Sequence, residues 1–231
     1  MESGGFDYHI VFHSIPFLAK GMGLTLVLTF LGIAGGLVFG TMLALMRLSN
    51  VAVPVPYLRK WLSLSFLAGS YVNFFRSMPL ILVIFWFYFL IPLVVGEQVG
   101  AFQSVLTAFI MFEAAYYCEI MRAGIQSVRV GQAHAGQALG LTYQQNMRYV
   151  VLPQAFRNMI PILISQAIVL FQDTALVYVV GLSDFLYSAE IVAMSENRLM
   201  EMYITVAIVY FALCSWAQFM VRNLQKRFAH D

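Results

Sequence analysis

Apolar residues in this chain run in long blocks; they neither alternate nor recur every third or fourth position. Five blocks approach the roughly 20 residues needed to cross a bilayer: 22–46, 78–95, 103–122, 159–181 and 202–221. The second is the hardest to bound. Residues 57–77 are also apolar but carry Arg59, Lys60 and Arg76. That pattern predicts a helix over 57–75 entering from a basic side, redirected around Pro79, with the full crossing beginning near Met78.

One stretch breaks the pattern. Residues 131–153 read GQAHAGQALGLTYQQNMRYVVLP, a polar amphipathic island. Good helix formers fill 132–139 apart from Gly136, and Gly140 suits a left-handed helix end. Thr142 is placed as an N-cap, with Gln145 three residues on in capping-box spacing. A second short helix is predicted from 143 to about 151, with Pro153 limiting it and kinking the entry to the fourth block. The product is helix, glycine turn, helix. Such a hairpin offers a rigid knob to a cleft on a soluble partner; a merely solvated loop is the plainer alternative.

Composition agrees with the blocks. The 231 residues are 61% hydrophobic and 10% charged, against roughly 25% charged in soluble domains, and the mean hydropathy is +0.80. We expect one integral membrane domain. Net charge is +2, and its distribution says more. Arg47, Arg59, Lys60, Arg76, Arg122, Arg129, Arg148, Arg157, Arg222, Lys226 and Arg227 fall on one side of the five spans, and only Lys20 and Arg198 on the other. The second side holds Glu2, Asp7, Glu97, Asp184, Glu190, Glu196 and Glu201. The positive-inside rule then puts the N-terminus outside and the C-terminus in the cytoplasm. The start, MESGGFDYHI, has neither a basic region nor a cleavage pattern, so no removable signal peptide is expected. Gly32, Gly36 and Gly40 form a small-residue stripe that favours packing inside the subunit over a dimer seam. Trp86, Phe87, Tyr88 and Phe89 fit an interfacial aromatic belt.

Ionisable groups at membrane depth are functional candidates. Glu113, Glu119 and Asp173 fall there. Glu119 and Arg122, three apart, suit a structural pair on one helix, with contact to substrate along the path as the alternative. Glu113 has Tyr116 and Tyr117 one turn on as candidate hydroxyl partners, with helix end-capping at the outer boundary as the alternative. Gln172-Asp173-Thr174 interrupts the fourth block near its middle: Asp173 could hold an ammonium group while Gln172 and Thr174 fix a carboxylate, with an interhelical hydrogen-bond cluster as the alternative. Arg76 either attracts an anion or caps a helix near the inner face, and its depth favours the cap.

Several functions are excluded. The three lysines, Lys20, Lys60 and Lys226, are not preceded by glycine, so no P-loop exists and energy must come from a partner. The histidines, His9, His13, His134 and His230, lie outside the five blocks, and no HExxH or GxSxG occurs. Cys118 and Cys214 make neither a disulfide framework nor a metal site. No metal and no catalytic residue are expected. A secondary carrier or channel subunit stays as the less favoured alternative, because five spans do not divide into two inverted repeats.

The island resembles the EAA motif of ATP-binding-cassette (ABC) importer permeases, in which E-A-A, a glycine and an apolar-L-P ending form the coupling helices. His134, Ala135, Gly136, Gly140, Leu152 and Pro153 occupy the motif positions. His replaces Glu at the first and Gly replaces Ala at the third; the second change should cost the helix about 1 kcal/mol. Ala138-Leu139-Gly140 and Val150-Val151-Leu152-Pro153-Gln154-Ala155 match well. Phe75-Arg76-Ser77-Met78-Pro79-Leu80 resembles the FR-x-x-PL element of the polar-amino-acid (HisMQ-type) branch. Tyr117, Glu119, Arg122, Gly124, Ile125, Gln126 and Ser127 resemble its Y-x-E-x-x-R-x-G-I-Q-S element. Residues 112–128 and 171–179 are similar to glutamate/aspartate permeases of the two-permease type.

The resemblance implies an all-α integral membrane fold: five transmembrane helices with a cytoplasmic coupling-helix hairpin over 130–153, a MetI-like type I importer permease. It implies ATPase coupling through Gln132, His134, Ala135, Gly136, Ala138, Leu139, Gly140, Leu152 and Pro153. It implies a second permease subunit (a heterodimer is favoured), two ATP-binding subunits that hold ATP and Mg, and an extracytoplasmic amino-acid-binding protein. The setting is the bacterial inner membrane, with lipid and no nucleic acid as partner. The expected cargo is glutamate or aspartate, with glutamine or basic amino acids as alternatives.

Overall fold

A computed structural model describes residues 6–49 and 63–230. Every regular element among them is helical. The predicted start of the second helix at 57, Arg59, Lys60 and Glu2 lie outside the described residues.

Helix α1 spans Tyr8–Leu48. It begins at Asp7, whose side chain accepts from the His9 amide, fourteen residues before the predicted span. At 1.5 Å per residue its 41 residues reach about 60 Å, twice a hydrocarbon core. The extension carries His9, His13 and Lys20, which hid it from a hydropathy reading; it is helical because Ser14, Leu18 and Gly21 are buried.

Helix α2, Leu64–Arg76, and helix α3, Leu80–Val95, meet at a 105° bend. The break has a local cause: Pro79 has no amide hydrogen and is extended (ψ 136°), while Ser77 Oγ donates back to the Asn73 carbonyl at 2.7 Å. The redirection predicted at Pro79 is therefore present. Neither arm alone is long enough to cross, so the bundle has four long apolar helices plus this bent pair.

Helix α4, Ala101–Gln126, is the hub. The main core gathers Val72 and Phe75 of α2, Val83 and Ile84 of α3, and Val105, Ala108, Phe109 and Phe112 of α4, all buried. The glycine stripe of α1 lies on α4. A Cβ on Gly36 would fall 2.7 Å from Glu113 Cβ, and one on Gly40 would fall 2.8 Å from Tyr117 Cβ. The stripe is thus an internal seam in which small residues let two backbones close up.

Helix α5, Val130–Ala138, is short. Helix α6 runs 38 residues, Tyr143–Val180, in one piece. The predicted stop near 151 does not occur. Instead Met147–Val151 forms a wide π turn immediately before Pro153. In an α-helix the proline ring would press on the carbonyl four residues back, at Tyr149; the wider turn relieves that contact and the helix continues. The same device recurs in α3, where the π turn Trp86–Leu90 precedes Pro92.

Helix α7, Phe185–Ser195, was not anticipated, being too short to span. The carboxylate of Asp184, fully buried, accepts from the Tyr187 and Leu186 amides at 2.9 and 3.2 Å, and Thr25 Oγ1 accepts from the Phe185 amide at 3.1 Å. A Cβ on Gly21 would meet Ser188 Oγ at 2.4 Å, so α7 rests directly on α1. Helix α8, Leu199–His230, closes the bundle.

Candidate functional site

Two regions carry the sequence-predicted residues: the hairpin, and the polar groups between helices.

The hairpin is locked by three independent devices. The α5 end is a Schellman turn: Gly140 has φ 78°, its amide donates to the Gln137 carbonyl at 2.9 Å, and the Leu141 amide donates to the Gly136 carbonyl at 3.1 Å. Thr142 caps α6 through the predicted capping box: the Gln145 amide donates to Thr142 Oγ1, and the Thr142 amide donates to Gln145 Oε1. Asn146, buried, donates from Nδ2 to the Ala133 carbonyl at 2.7 Å and ties the two arms together.

That tie explains Gly136. It is buried, and a Cβ there would lie 2.2 Å from Asn146 Oδ1 and 2.8 Å from its Cγ. The expected penalty of glycine relative to alanine is therefore reversed in sign by packing. Asn146 was missed by sequence reading; the only signal was an amide one turn beyond the Thr142 cap.

The outer surface of the hairpin is exposed. Gln132, His134, Ala135, Ala138 and Gly140 face outward, Leu139 is 82% exposed, and Tyr143 is 73% exposed. Leu152 is half-buried and Pro153 exposed, both in α6 beyond the π turn. Below the hairpin Asn158 Nδ2 donates to Ser127 Oγ at 2.8 Å. The hairpin is a stiff knuckle with a large leucine at its tip.

Among the membrane-depth groups, Glu119 sits between two arginines. Arg122 chelates Glu119 Oε1 through Nε (3.1 Å) and Nη2, as the spacing predicts. Arg47 of α1, which the sequence did not pair, donates to Oε2 at 2.5 Å. The carboxylate thus ties α1 to α4 at the basic end.

Glu113 is fully buried against the Gly36 backbone, and its partner is not a tyrosine. Gln166 of α6 donates from Nε2 to Glu113 Oε1 at 3.1 Å. Glu113 Oε2 and the buried Tyr117 hydroxyl have no hydrogen-bond partner among the described residues. Tyr116 is occupied otherwise, with the Arg76 guanidinium 5.4 Å over its ring. Arg76 itself is exposed in the last turn of α2, where a cation offsets the negative helix end.

Gln172, Asp173 and Thr174 do not converge. Consecutive helical residues point about 100° apart: Gln172 is exposed, Asp173 is half-buried, and Thr174 is buried with Oγ1 donating to the Phe171 carbonyl at 2.7 Å. Of these three, only Asp173 keeps an uncommitted polar group near the core. Among the described residues no three His, Cys, Asp or Glu side chains cluster as metal ligands.

This architecture, a polytopic helical bundle with a rigid polar knuckle at its basic end, is that of a membrane transport component. The family described as binding-protein-dependent transport system inner membrane component matches residues 36–230, and the chain belongs to it. The chain is 43% identical over 231 residues to the glutamate/aspartate import permease protein GltK of Escherichia coli O6:H1, covering 97% of this chain and 99% of that protein. It is 34% identical to the probable amino-acid ABC transporter permease protein YckA of Bacillus subtilis, covering 97% and 95%. Among solved structures, one titled crystal structure of an amino acid ABC transporter with histidines superposes with a TM-score of 0.87 at 31% identity, over 96% of this chain and 99% of that one.

Proposed function

We propose that this chain is the conducting subunit of an ABC importer for polar amino acids, with glutamate or aspartate as cargo. The observation that carries the reading is the locked hairpin. A chain without a nucleotide site presents a stiff, leucine-tipped knuckle to the aqueous face, which suits docking in a cleft of an ATP-hydrolysing subunit. ATP and Mg belong to that partner; this chain binds no cofactor and does no chemistry. The cargo assignment draws on the 43% identity with GltK.

The complex contains a second permease (a related chain forming a heterodimer), two ATP-binding subunits and an extracytoplasmic amino-acid-binding protein. The N-terminus lies outside and the C-terminus in the cytoplasm. Closure of the ATPases rocks the permeases from inward-open to outward-open. Asp173, half-buried on α6 and free of committed partners, faces the path and meets the ammonium group; Gln172 and Thr174 are not its co-ligands.

The test is uptake of labelled glutamate into vesicles holding the reconstituted complex, competed by a panel of amino acids. Competition by aspartate alone supports the acidic assignment. Competition by glutamine or arginine moves it to those cargoes. Asp173→Asn should lower uptake while leaving basal ATPase activity intact; unchanged uptake removes Asp173 from the path. Deleting 132–140 should abolish pull-down of the ATPase.

A further inference from the structure

Beside the hairpin, at the basic end of the bundle, three elements enclose a polar cavity of about 340 Å³, within the range of small-ligand pockets. The joint between α4 and α5 supplies Arg129 and Gln132, α6 supplies Arg157 and Asn158, and Phe228 of α8 closes the third side. Gln154, Arg157 and Asn158 fall at i, i+3 and i+4, one face of α6. Two contacts join that face to the α4–α5 joint. Asn158 Nδ2 donates to Ser127 Oγ at 2.8 Å, and Gln154 Nε2 donates to Gln132 Oε1 at 3.5 Å.

The charge here is one-sided. Between Glu119 and Asp173 the chain has no acidic residue, yet it carries Arg122, Arg129, Arg148 and Arg157. Arg122 is spent on Glu119. Arg129 and Arg157 form no ion pair and no side-chain hydrogen bond among the described residues. Two like charges on one cavity repel, and an anion between them removes that cost. The depth narrows the choice of anion. Asn158 immediately precedes the apolar block 159–181, and Ser127 follows the block 103–122 by five residues, about 8 Å of helix. The headgroup layer adds roughly 5–7 Å to each face of the hydrocarbon core, so the cavity stands at the level of lipid phosphates.

We propose that this cavity is a phosphate-binding site. Arg129 and Arg157 hold the phosphate oxygens from two different walls, each with a planar fork suited to two oxygens, and the Gln132 amide adds a donor. A headgroup of the adjoining leaflet and a free phosphate compound share this chemistry. Basic pockets at the ends of membrane helices are suited to anionic headgroups. A zwitterionic headgroup gains less, because its ammonium meets two guanidiniums and no carboxylate among the described lining residues. The occupant ties the start of the hairpin to α6 and to the end of α8.

The test uses the full-length chain, purified in nonionic detergent with the subunits it carries and stripped of lipid. In one arm phosphatidylglycerol and phosphatidylcholine with identical acyl chains are titrated, and bound lipid is counted by native mass spectrometry. In the other, inorganic phosphate is titrated calorimetrically. Wild type should prefer phosphatidylglycerol about thirty-fold, the effect of two cations at a membrane surface. Arg129→Gln and Arg157→Gln should each lower that preference about five-fold, and the double variant should abolish it at unchanged elution volume. Arg157→Lys, which keeps the charge, should retain most of it. Arg148→Gln, an exposed arginine outside the cavity, should retain all of it. Inorganic phosphate that binds wild type but not the double variant also supports the site and makes a free phosphate compound its source. If the double variant binds both probes as wild type does, or if Arg148→Gln loses as much as Arg157→Gln, the proposal is overturned. It is overturned too if the double variant sheds the ATP-hydrolysing subunit while its phosphatidylglycerol count is unchanged, since the cavity is then a protein contact.

Discussion

Gly136 shows how a departure from a motif can be read only in three dimensions. Helix propensity alone says that Gly136→Ala should stabilise α5 by about 1 kcal/mol. The Asn146 side chain, 2.2 Å from where the Cβ would sit, says the opposite. We expect Gly136→Ala to destabilise the hairpin by about 1–3 kcal/mol, the usual cost of overpacking, visible as faster amide exchange across α5. Adding Asn146→Ser should recover part of the loss, a non-additivity that marks direct contact. Equal exchange in wild type and Gly136→Ala would remove the packing explanation. Asp184 makes a second prediction, lying between α6 and α7. Burial pushes its carboxyl up from 3.8 to about 6, against the opposing pull of the Tyr187 and Leu186 amides. A folded-state value above the unfolded one means the folded protein holds the proton more tightly. Its stabilising contribution is then full below about 3.8 and is lost as pH rises through about 6. The melting temperature should therefore fall between pH 5 and pH 7.5. Asp184→Asn, which keeps an N-cap oxygen, should flatten that dependence; a slope as steep as wild type would exclude Asp184 as its source.

Elements built on a single local rule were legible before the structure. The Thr142 capping box, the Gly140 helix end, the Pro79 bend and the Glu119–Arg122 pair all follow from residues within a few positions of one another. What escaped were features fixed by contacts distant in sequence. Helix α7 is too short for hydropathy and stands on the buried Asp184 cap and the α1 backbone at Gly21. The early start of α1 rests on packing that overrides two histidines and a lysine. Gln166 is one amide in an apolar run until α6 lies beside Glu113. Pro153 was expected to stop a helix, yet a π turn absorbs it. The glycine seam gives the prediction at this scale. Gly36→Ala drives a methyl to 2.7 Å from Glu113 Cβ and 3.0 Å from the Tyr117 ring, so α1 and α4 must part. Gly23, on the same helix, has open space around its would-be Cβ. Gly36→Ala should lower the folded yield and the melting temperature in detergent, while Gly23→Ala should change neither. Matching behaviour of the two variants would mean that the seam is not a close approach.

At the scale of the molecule, the proposed function makes α6 a lever. Its 38 residues measure about 57 Å, with the Thr142 cap at one end, the π turn as a wrist near it, and Asp173 toward the other. In the proposed function a push on the knuckle would be transmitted, because the Schellman turn, the capping box and Asn146 remove the soft torsions of an ordinary loop. The tip that would receive the push is Leu139, 82% exposed and touching little of its own chain. An aspartate there should leave the fold intact and damage only what docks on it. We therefore expect Leu139→Asp to melt within about a degree of wild type, since surface changes away from special contacts alter stability little. Its affinity for the ATP-hydrolysing subunit should fall about thirty-fold or more, the scale of a central apolar anchor in an interface, and uptake should fall with it. Glu97→Gln, exposed in the loop after α3, should change neither. A Leu139→Asp variant that binds the ATPase as tightly as wild type would make the knuckle a solvated loop and leave α6 with nothing to push it.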